Sequence, residues 1–359
     1  MSDVAFWGQG NEPALQPFRS ALRAEWERRG YEFVEGQDPN AACVFNFIDP
    51  ADPKPFRRRQ RSTYVIAVHH MADRPDDVLR AEYPMLVRAL ANIAMLVVPG
   101  DACYFVTPEQ GFYSVPDPGD PEAWVKALFD RIEPLATSRL VIDNHFETDL
   151  EPELWDGDEQ TEGLFRAGRR LDALGLLPAP FPLEDLVTPD DMRWIKLVYG
   201  IGGLSYGNLS ARKDDRRFWM SASGVDKSNL SEIGRDILLV TDYDRANERM
   251  VLSVPPGVEP RRASVDAIEH WMIYREHPQV GAIVHVHAWI PGVEATEFNF
   301  PCGTAELATA VAEIIRRAPE PGRAIVGLKN HGLTITGPSL DDIFGRIEPV
   351  IETQIPMTA

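Results

Sequence analysis

The stretch AIVHVHAW, residues 282–289, decides how this chain is interpreted. Its run of Ala, Ile and Val predicts a buried β-strand. Because residues i and i+2 of a strand point to the same face, the imidazoles of His285 and His287 project side by side. A third imidazole, His331, lies in a predicted turn before Gly332. Three protein ligands with an open position are typical of catalytic rather than structural zinc.

The alternative for such a pair is ordinary core or surface histidine, and the residues upstream favour a metal site. Residues 263–274 have helical spacing, with Asp266 and Glu269 one turn apart and Ser264 or Asp266 as the N-cap. A carboxylate at the start of a helix, one short element before a metal-binding strand, has the position of a general acid/base beside the metal.

Two Gly- and Ser-rich segments precede this helix: GGLSYGNLSAR (202–212) and SASGVDKSNL (221–230). We predict turns in both segments. Backbone N–H groups in such turns, together with Ser and Asn side chains, can hold an anion. Ordinary tight turns between apolar segments are the alternative.

Taken in order, the motifs of the second half resemble those of the class II aldolase/adducin family. The matching runs are GNLSAR (207–212), SASGVDKSNL (221–230), SVDAIEHWMIY (264–274), HPQVGAIVHVHA (277–288), GTAELATAV (303–311) and KNHGLTITGPSL (329–340). The resemblance covers roughly residues 160–345. It implies an α/β/α fold around a central, mainly antiparallel sheet. Members include sugar-phosphate aldolases, an epimerase, a dehydratase, decarboxylases and the non-catalytic adducins.

The resemblance also implies roles for individual residues and a cofactor. The cofactor is a divalent metal, most commonly Zn²⁺ with Mn²⁺, Fe²⁺ or Co²⁺ as alternatives, on His285, His287 and His331. Asp266 falls where sugar-phosphate members have a catalytic Glu. The implied phosphate-binding residues are Asn208, Ser223, Gly224 and Ser264. A homo-oligomer is also implied, either a tetramer with sites between subunits or a dimer.

Three departures from the family pattern affect the expected chemistry. Asp266 is one methylene shorter than Glu, and Val265 stands where many aldolases have a second Ser, which removes one hydroxyl donor. The span from His287 to His331 is 44 residues, shorter than in the aldolases. We therefore expect a metal-dependent lyase that forms an enediolate from a small hydroxy-carbonyl substrate. Decarboxylation, epimerisation or dehydration at the same site, or a non-catalytic adducin-like role in assembly, are the alternatives.

Composition limits the partners and the location. The 359 residues carry a net charge of −19, which disfavours nucleic acid or an anionic membrane surface as a partner and leaves a small molecule. The three scattered cysteines predict no disulfide framework and fit a reducing cytoplasm. The N-terminus does not resemble a signal peptide, and no run approaches the roughly 20 apolar residues of a membrane span.

The first 155 residues lie outside the resemblance. Strands alternate there with helices, which predicts a Rossmann-like α/β domain of unknown role, followed by a second domain at 156–359. A hairpin is expected across 109–111. Gly8-Gln9-Gly10 is only a weak nucleotide-binding signal because Pro13 replaces the third glycine. His69-His70 ends a strand, either as one inward and one outward side chain or as ligands.

Overall fold

The structure, a computed structural model, describes residues 4–8, 13–38, 41–60, 62–108, 111–178, 183–195 and 206–358. The strands are β1 Val4–Gly8, β2 Phe33–Glu35, β3 Cys43–Phe47, β4 Tyr64–His70, β5 Ile93–Val98, β6 Ala102–Thr107, β7 Gly111–Pro116, β8 Asp143–Glu147, β9 Asn208–Arg212, β10 Phe218–Ser221, β11 Ile237–Asp244, β12 Arg249–Ser253, β13 Ala282–Val286, β14 Ile325–Leu328 and β15 Gly332–Gly337. The helices are α1 Gln16–Arg28, α2 Val78–Arg88, α3 Pro121–Thr137, α4 Glu159–Ala173, α5 Leu183–Leu186, α6 Pro189–Trp194, α7 Ala267–Glu276, α8 Ala305–Arg317 and α9 Leu340–Ile347.

The chain forms two compact units, each made of more than one segment of the sequence. The first contains Met1–Thr137, Pro180–Gly202 and Met357–Ala359, and the second contains Ser138–Ala179 and Gly203–Pro356. Residues 138–155, which the sequence-based division places in the first domain, therefore make their contacts within the second unit.

The first unit is built on a seven-stranded sheet in the order β2-β1-β3-β4-β5-β6-β7. The first five strands pair in parallel, and β6 and β7 add an antiparallel hairpin. Every residue of β3, β5 and β6 is buried except Ile93, which agrees with the continuous apolar runs expected of strands covered on both faces. The predicted α/β domain and its hairpin are confirmed, although Glu109 and Gln110 at the hairpin tip lie outside the described residues. The weak nucleotide-binding signal likewise falls at Gln9 and Gly10, outside those residues.

His69 and Glu82 form a buried hydrogen-bonded pair at the end of β4. His69 is 3% exposed, and its Nε2 lies 2.7 Å from Oε2 of Glu82, which is 1% exposed on α2. His70 is only half-buried. One histidine thus faces the interior and its neighbour faces outward, as predicted.

Removing Glu82 is expected to destabilise the first unit. Breaking one partner of a buried pair typically costs about 3–5 kcal/mol because the other polar group loses its compensation. We expect Glu82→Ala to lower the unfolding free energy by about that amount in urea titration, whereas the exposed Glu122→Ala should change it by less than about 0.5 kcal/mol. Equal effects of the two substitutions would show that the pair contributes nothing.

The second unit contains an eight-stranded sheet in the order β14-β15-β13-β9-β10-β11-β12-β8. All neighbours are antiparallel except β12 and β8. Helices α4 and α9 pack together and against the β9, β13 and β15 strands, while α7 and α8 pack together, with α7 against β11 and α8 against β14. The predicted mainly antiparallel sheet is confirmed.

The segment GNLSAR was predicted as a turn, and this is wrong for its larger part. Asn208–Arg212 is strand β9, paired on one side with β13 and on the other with β10. Only Gly207 keeps the left-handed backbone of a turn, at φ +68°. The Gly-, Ser- and Asn-rich composition favours turns locally, but two neighbouring strands supply ladder hydrogen bonds that outweigh this preference.

None of the helices within the described part of the chain combines the length and the apolar character needed to cross a membrane.

Candidate metal centre

The three predicted histidines come together in the second unit. The ring centroids of His285 and His287 are 5.2 Å apart, and those of His331 lie 4.8 Å and 5.0 Å from them. One nitrogen from each ring lies within 4.8 Å of the others. His285 and His331 are buried, and His287 is half-buried. The i, i+2 geometry on β13 and the distant turn therefore meet at one point, as the sequence predicted.

Close backbone approaches fix this arrangement. A Cβ on Gly207 would lie 2.4 Å from the carbonyl oxygen of His285, and one on Gly332 would lie 2.2 Å from that of Val286. Only glycine lets these chains pass so close to β13. His331 lies between Gly332 and Asn330, whose left-handed φ of +56° turns the chain.

The nitrogen atoms fit a cation. His285 Nδ1 lies 3.0 Å from the carbonyl oxygen of Leu333, which accepts an N–H and leaves Nε2 as the lone-pair nitrogen. His285 Nε2 and His287 Nδ1 are buried and have no hydrogen-bond partner among the described residues. Burial lowers the pKa of His285, and it is the largest cause of the strongly lowered pKa of His287 and His331. The neutral imidazole favoured in this way is the form that binds metal.

Asp266 lies beside the histidines. It occupies the N-cap position of α7, but its side chain makes no capping hydrogen bond. Instead Asn208 Nδ2 donates to Asp266 Oδ2 at 2.7 Å, and the same oxygen is 3.9 Å from His285 Nε2. The other oxygen, Oδ1, is buried without a partner among the described residues. This placement is what a proton-transferring carboxylate requires, and the catalytic role remains a prediction.

The predicted phosphate-binding residues divide into two groups. Asn208 is 1% exposed, and its amide is directed at Asp266. A backbone bridge between Ala222 and Ala263 holds the other two segments side by side. There the Ser223 N–H donates to the Arg262 carbonyl and Arg261 donates to the Gly224 carbonyl, beside the half-buried Ser223 and Ser264. The guanidinium of Arg261 reaches this turn and Arg262 is its neighbour in sequence, so their positive charge suits an anion, and anion binding by this second group stays a prediction.

Lys227 is a residue that the sequence analysis did not single out. It is 3% exposed in the turn after Ser223, and burial lowers its pKa to about 8. Its charge acts on His285 and His287 by lowering their pKa. The available signal was a lysine beside Asp226 in a turn of small residues, which composition alone assigns to the surface.

Glu269 and Cys302 were also missed as members of the site. Thr334 Oγ1 donates to Glu269 Oε1 at 2.5 Å, and Thr334 is the register partner of His285. Cys302 Sγ lies 3.4 Å from His331 Nε2. Both contacts join distant parts of the chain, so no local pattern reveals them.

His270, by contrast, is buried in a hydrogen-bond network of the core. Its Nδ1 lies 2.8 Å from Ser210 Oγ, which lies 2.8 Å from the hydroxyl of Tyr274. Burial lowers the pKa of His270 to about 3, which keeps the ring neutral inside the core.

Comparison with known proteins relates this region to one family. Residues 193–293 match the family described as Class II Aldolase and Adducin N-terminal domain. A methylthioribulose-1-phosphate dehydratase from Enterobacter sp. (strain 638) is 31% identical over 153 residues, which cover 43% of this chain and 63% of that protein. The dehydratase of the same name from Serratia proteamaculans (strain 568) is 39% identical over 82 residues, or 23% of this chain and 34% of that protein.

Two further comparisons are with a decarboxylase and with an aldolase. A 3-oxo-tetronate 4-phosphate decarboxylase from Haemophilus influenzae is 27% identical and covers 43% of this chain and 77% of that protein. A solved structure of an L-fuculose 1-phosphate aldolase is 19% identical, with a TM-score of 0.37, and covers 54% of this chain and 81% of that one. The chain thus spans between about a third and two thirds of the length of the dehydratases that it matches.

Proposed function

We propose that the protein is a metal-dependent lyase, because residues 193–293 match the class II aldolase and adducin family. Its substrate would be a small hydroxy-carbonyl compound, with a sugar phosphate as the leading class. The observation that carries the proposal is the group of three histidines next to Asp266, in which His285 Nε2 and His287 Nδ1 are buried without a hydrogen-bond partner among the described residues. An adducin-like assembly protein has no need of such a group.

The proposed reaction uses a divalent cation. His285, His287 and His331 would hold it, and when bound it would act as a Lewis acid on the oxygens of the substrate. We propose zinc because three imidazoles and an open position suit it. A homo-oligomer in the cytoplasm completes the proposal.

The side chains of the chain itself supply the remaining steps. Asp266 would take and return the proton at the carbon next to the carbonyl, since its buried Oδ1 has no hydrogen-bond partner among the described residues and its Oδ2 is held by Asn208. Arg261 and Arg262, with the Ser223 and Ser264 hydroxyls, would bind an anionic end of the substrate. Aldol cleavage, decarboxylation and dehydration all pass through an enolate at the carbon next to the carbonyl, and the names of the relatives favour the last two.

A product assay tests the proposal. The zinc-loaded protein is incubated separately with methylthioribulose 1-phosphate, 3-oxo-tetronate 4-phosphate and L-fuculose 1-phosphate, and the products are identified by ¹H and ³¹P NMR. We expect loss of water or of carbon dioxide from one of the first two, and fragments from the third would identify an aldolase. Failure of the protein to retain zinc after dialysis, combined with no turnover of any of the three substrates, would contradict the lyase function.

A further inference from the structure

Glu269 is a buried carboxyl that the proposed reaction has not yet used. It lies one helical turn after Asp266 on α7, so the two side chains are on the same side of the helix. Glu269 is 2% exposed. Thr334, directly opposite His285 in the sheet, donates to its Oε1. The second oxygen, Oε2, is buried with no partner among the described residues.

A purely structural role leaves this arrangement unexplained. Burying a charged carboxylate costs free energy, and a single hydroxyl donor offsets only a small part of that cost. A carboxyl that retains its proton carries no charge and costs less to bury. Burial, and after it the charge of Asp266, raises the pKa of Glu269 and so favours the neutral acid. Among the described residues, the titratable groups around this part of the site are Asp266 at the N-cap of α7, His270 on α7, His285 on β13 and Lys227 in the turn after β10.

The two carboxyls consequently differ in environment. Asp266 accepts an amide N–H and lies close to His285, while Glu269 lies in a site with a single hydroxyl donor. Pairs of acids whose surroundings differ in this way commonly divide the roles of base and acid between them.

We propose that Glu269 is the acid partner of Asp266 in a dehydration. Asp266 removes the proton from the carbon next to the carbonyl, and the electron pair of that C–H bond forms the new C=C bond. The C–O bond on the following carbon breaks, and Glu269 Oε2 gives its proton to the departing hydroxyl, which leaves as water. Transfer of the proton from Asp266 to Glu269 restores both groups.

This inference rests on the proposed lyase function and narrows it. It names the substrate class as a ketone with a hydroxyl group on the carbon β to the carbonyl. Decarboxylation and aldol cleavage release no hydroxyl and have no need of a second protonated acid. A site with both carboxyls is therefore suited to elimination of water.

The test separates proton removal from water loss. Zinc-loaded wild type and Glu269→Gln are incubated in D₂O with methylthioribulose 1-phosphate, and deuterium incorporation next to the carbonyl and product formation are followed by NMR. Because Asp266 remains, we expect Glu269→Gln to keep deuterium exchange while water loss falls about 100-fold, the usual contribution of a general acid. The exposed Glu276→Gln at the end of the same helix is the matched control and should behave as wild type.

The other outcomes also decide the question. If Glu269→Gln loses exchange and elimination together, or keeps both, Glu269 is not the acid. If the wild type neither exchanges nor dehydrates this substrate, the dehydration is overturned, whereas the lyase function is judged by the other substrates. Infrared spectroscopy of the metal-free protein at pH 7 gives an independent reading, since a protonated-carboxyl C=O band present in wild type and lost in Glu269→Gln supports the proposal. Absence of this band in the wild type would overturn it.

Discussion

His285→Ala is expected to bind zinc at least about 100-fold more weakly than the wild type. Removing a residue that only orients a metal ligand already lowers metal affinity by up to about 100-fold, and removing the ligand itself should lower it by no less. His285 supplies a nitrogen that is already buried, oriented by the Leu333 carbonyl and without another partner. The loss should be visible as a drop in bound zinc, measured by elemental analysis after dialysis. All lyase activity should disappear with the metal.

A matched control distinguishes the site from adventitious binding to histidine. His145 is an exposed histidine on β8, and His145→Ala should retain the zinc content of the wild type. Zinc at about 100 times its dissociation constant should also stabilise the wild type by about 2.7 kcal/mol, and His285→Ala should lose this effect. Equal zinc content in both variants would contradict a centre at the three histidines.

The histidine cluster could be predicted because its geometry is largely local. The i, i+2 pair depends only on strand periodicity, and the apolar run around it identifies the strand. His331 needed the family resemblance, since the turn that contains it reaches His285 through the pairing of β13 with β15. Sequence spacing alone does not fix which strands become neighbours.

The remaining members of the site depend on long-range contacts. Glu269 looks like any charged residue between Asp266 and His270 in a helical pattern, and its partner Thr334 is 65 residues away. The start of the second unit likewise depends on a long-range contact. Strand β8 pairs in parallel with β12, which lies more than 100 residues later in the chain. Both features follow from tertiary packing, which cannot be predicted from the periodicity of apolar residues in the sequence.

Asp266→Asn is the second substitution with a large expected effect. It removes the base while keeping the size of the side chain, and the introduced amide oxygen can still accept the Asn208 N–H. We expect kcat to fall about 1,000-fold, within the range for loss of a general acid or base. Zinc content should be unchanged because Asp266 lies 3.9 Å from His285 Nε2 and is not one of the three ligands.

The same variant decides between two roles for Asp266. If this carboxylate only orients His285, Asp266→Asn should weaken zinc binding and leave deuterium exchange next to the carbonyl intact once zinc is saturating. If it is the base, exchange should be lost at any zinc concentration, together with turnover. Asp266→Glu, which restores the longer side chain found in sugar-phosphate members, should recover part of the exchange in the second case. A fully active Asp266→Asn would show that another group removes the proton, and Glu269, one helical turn away, would then be the first to test.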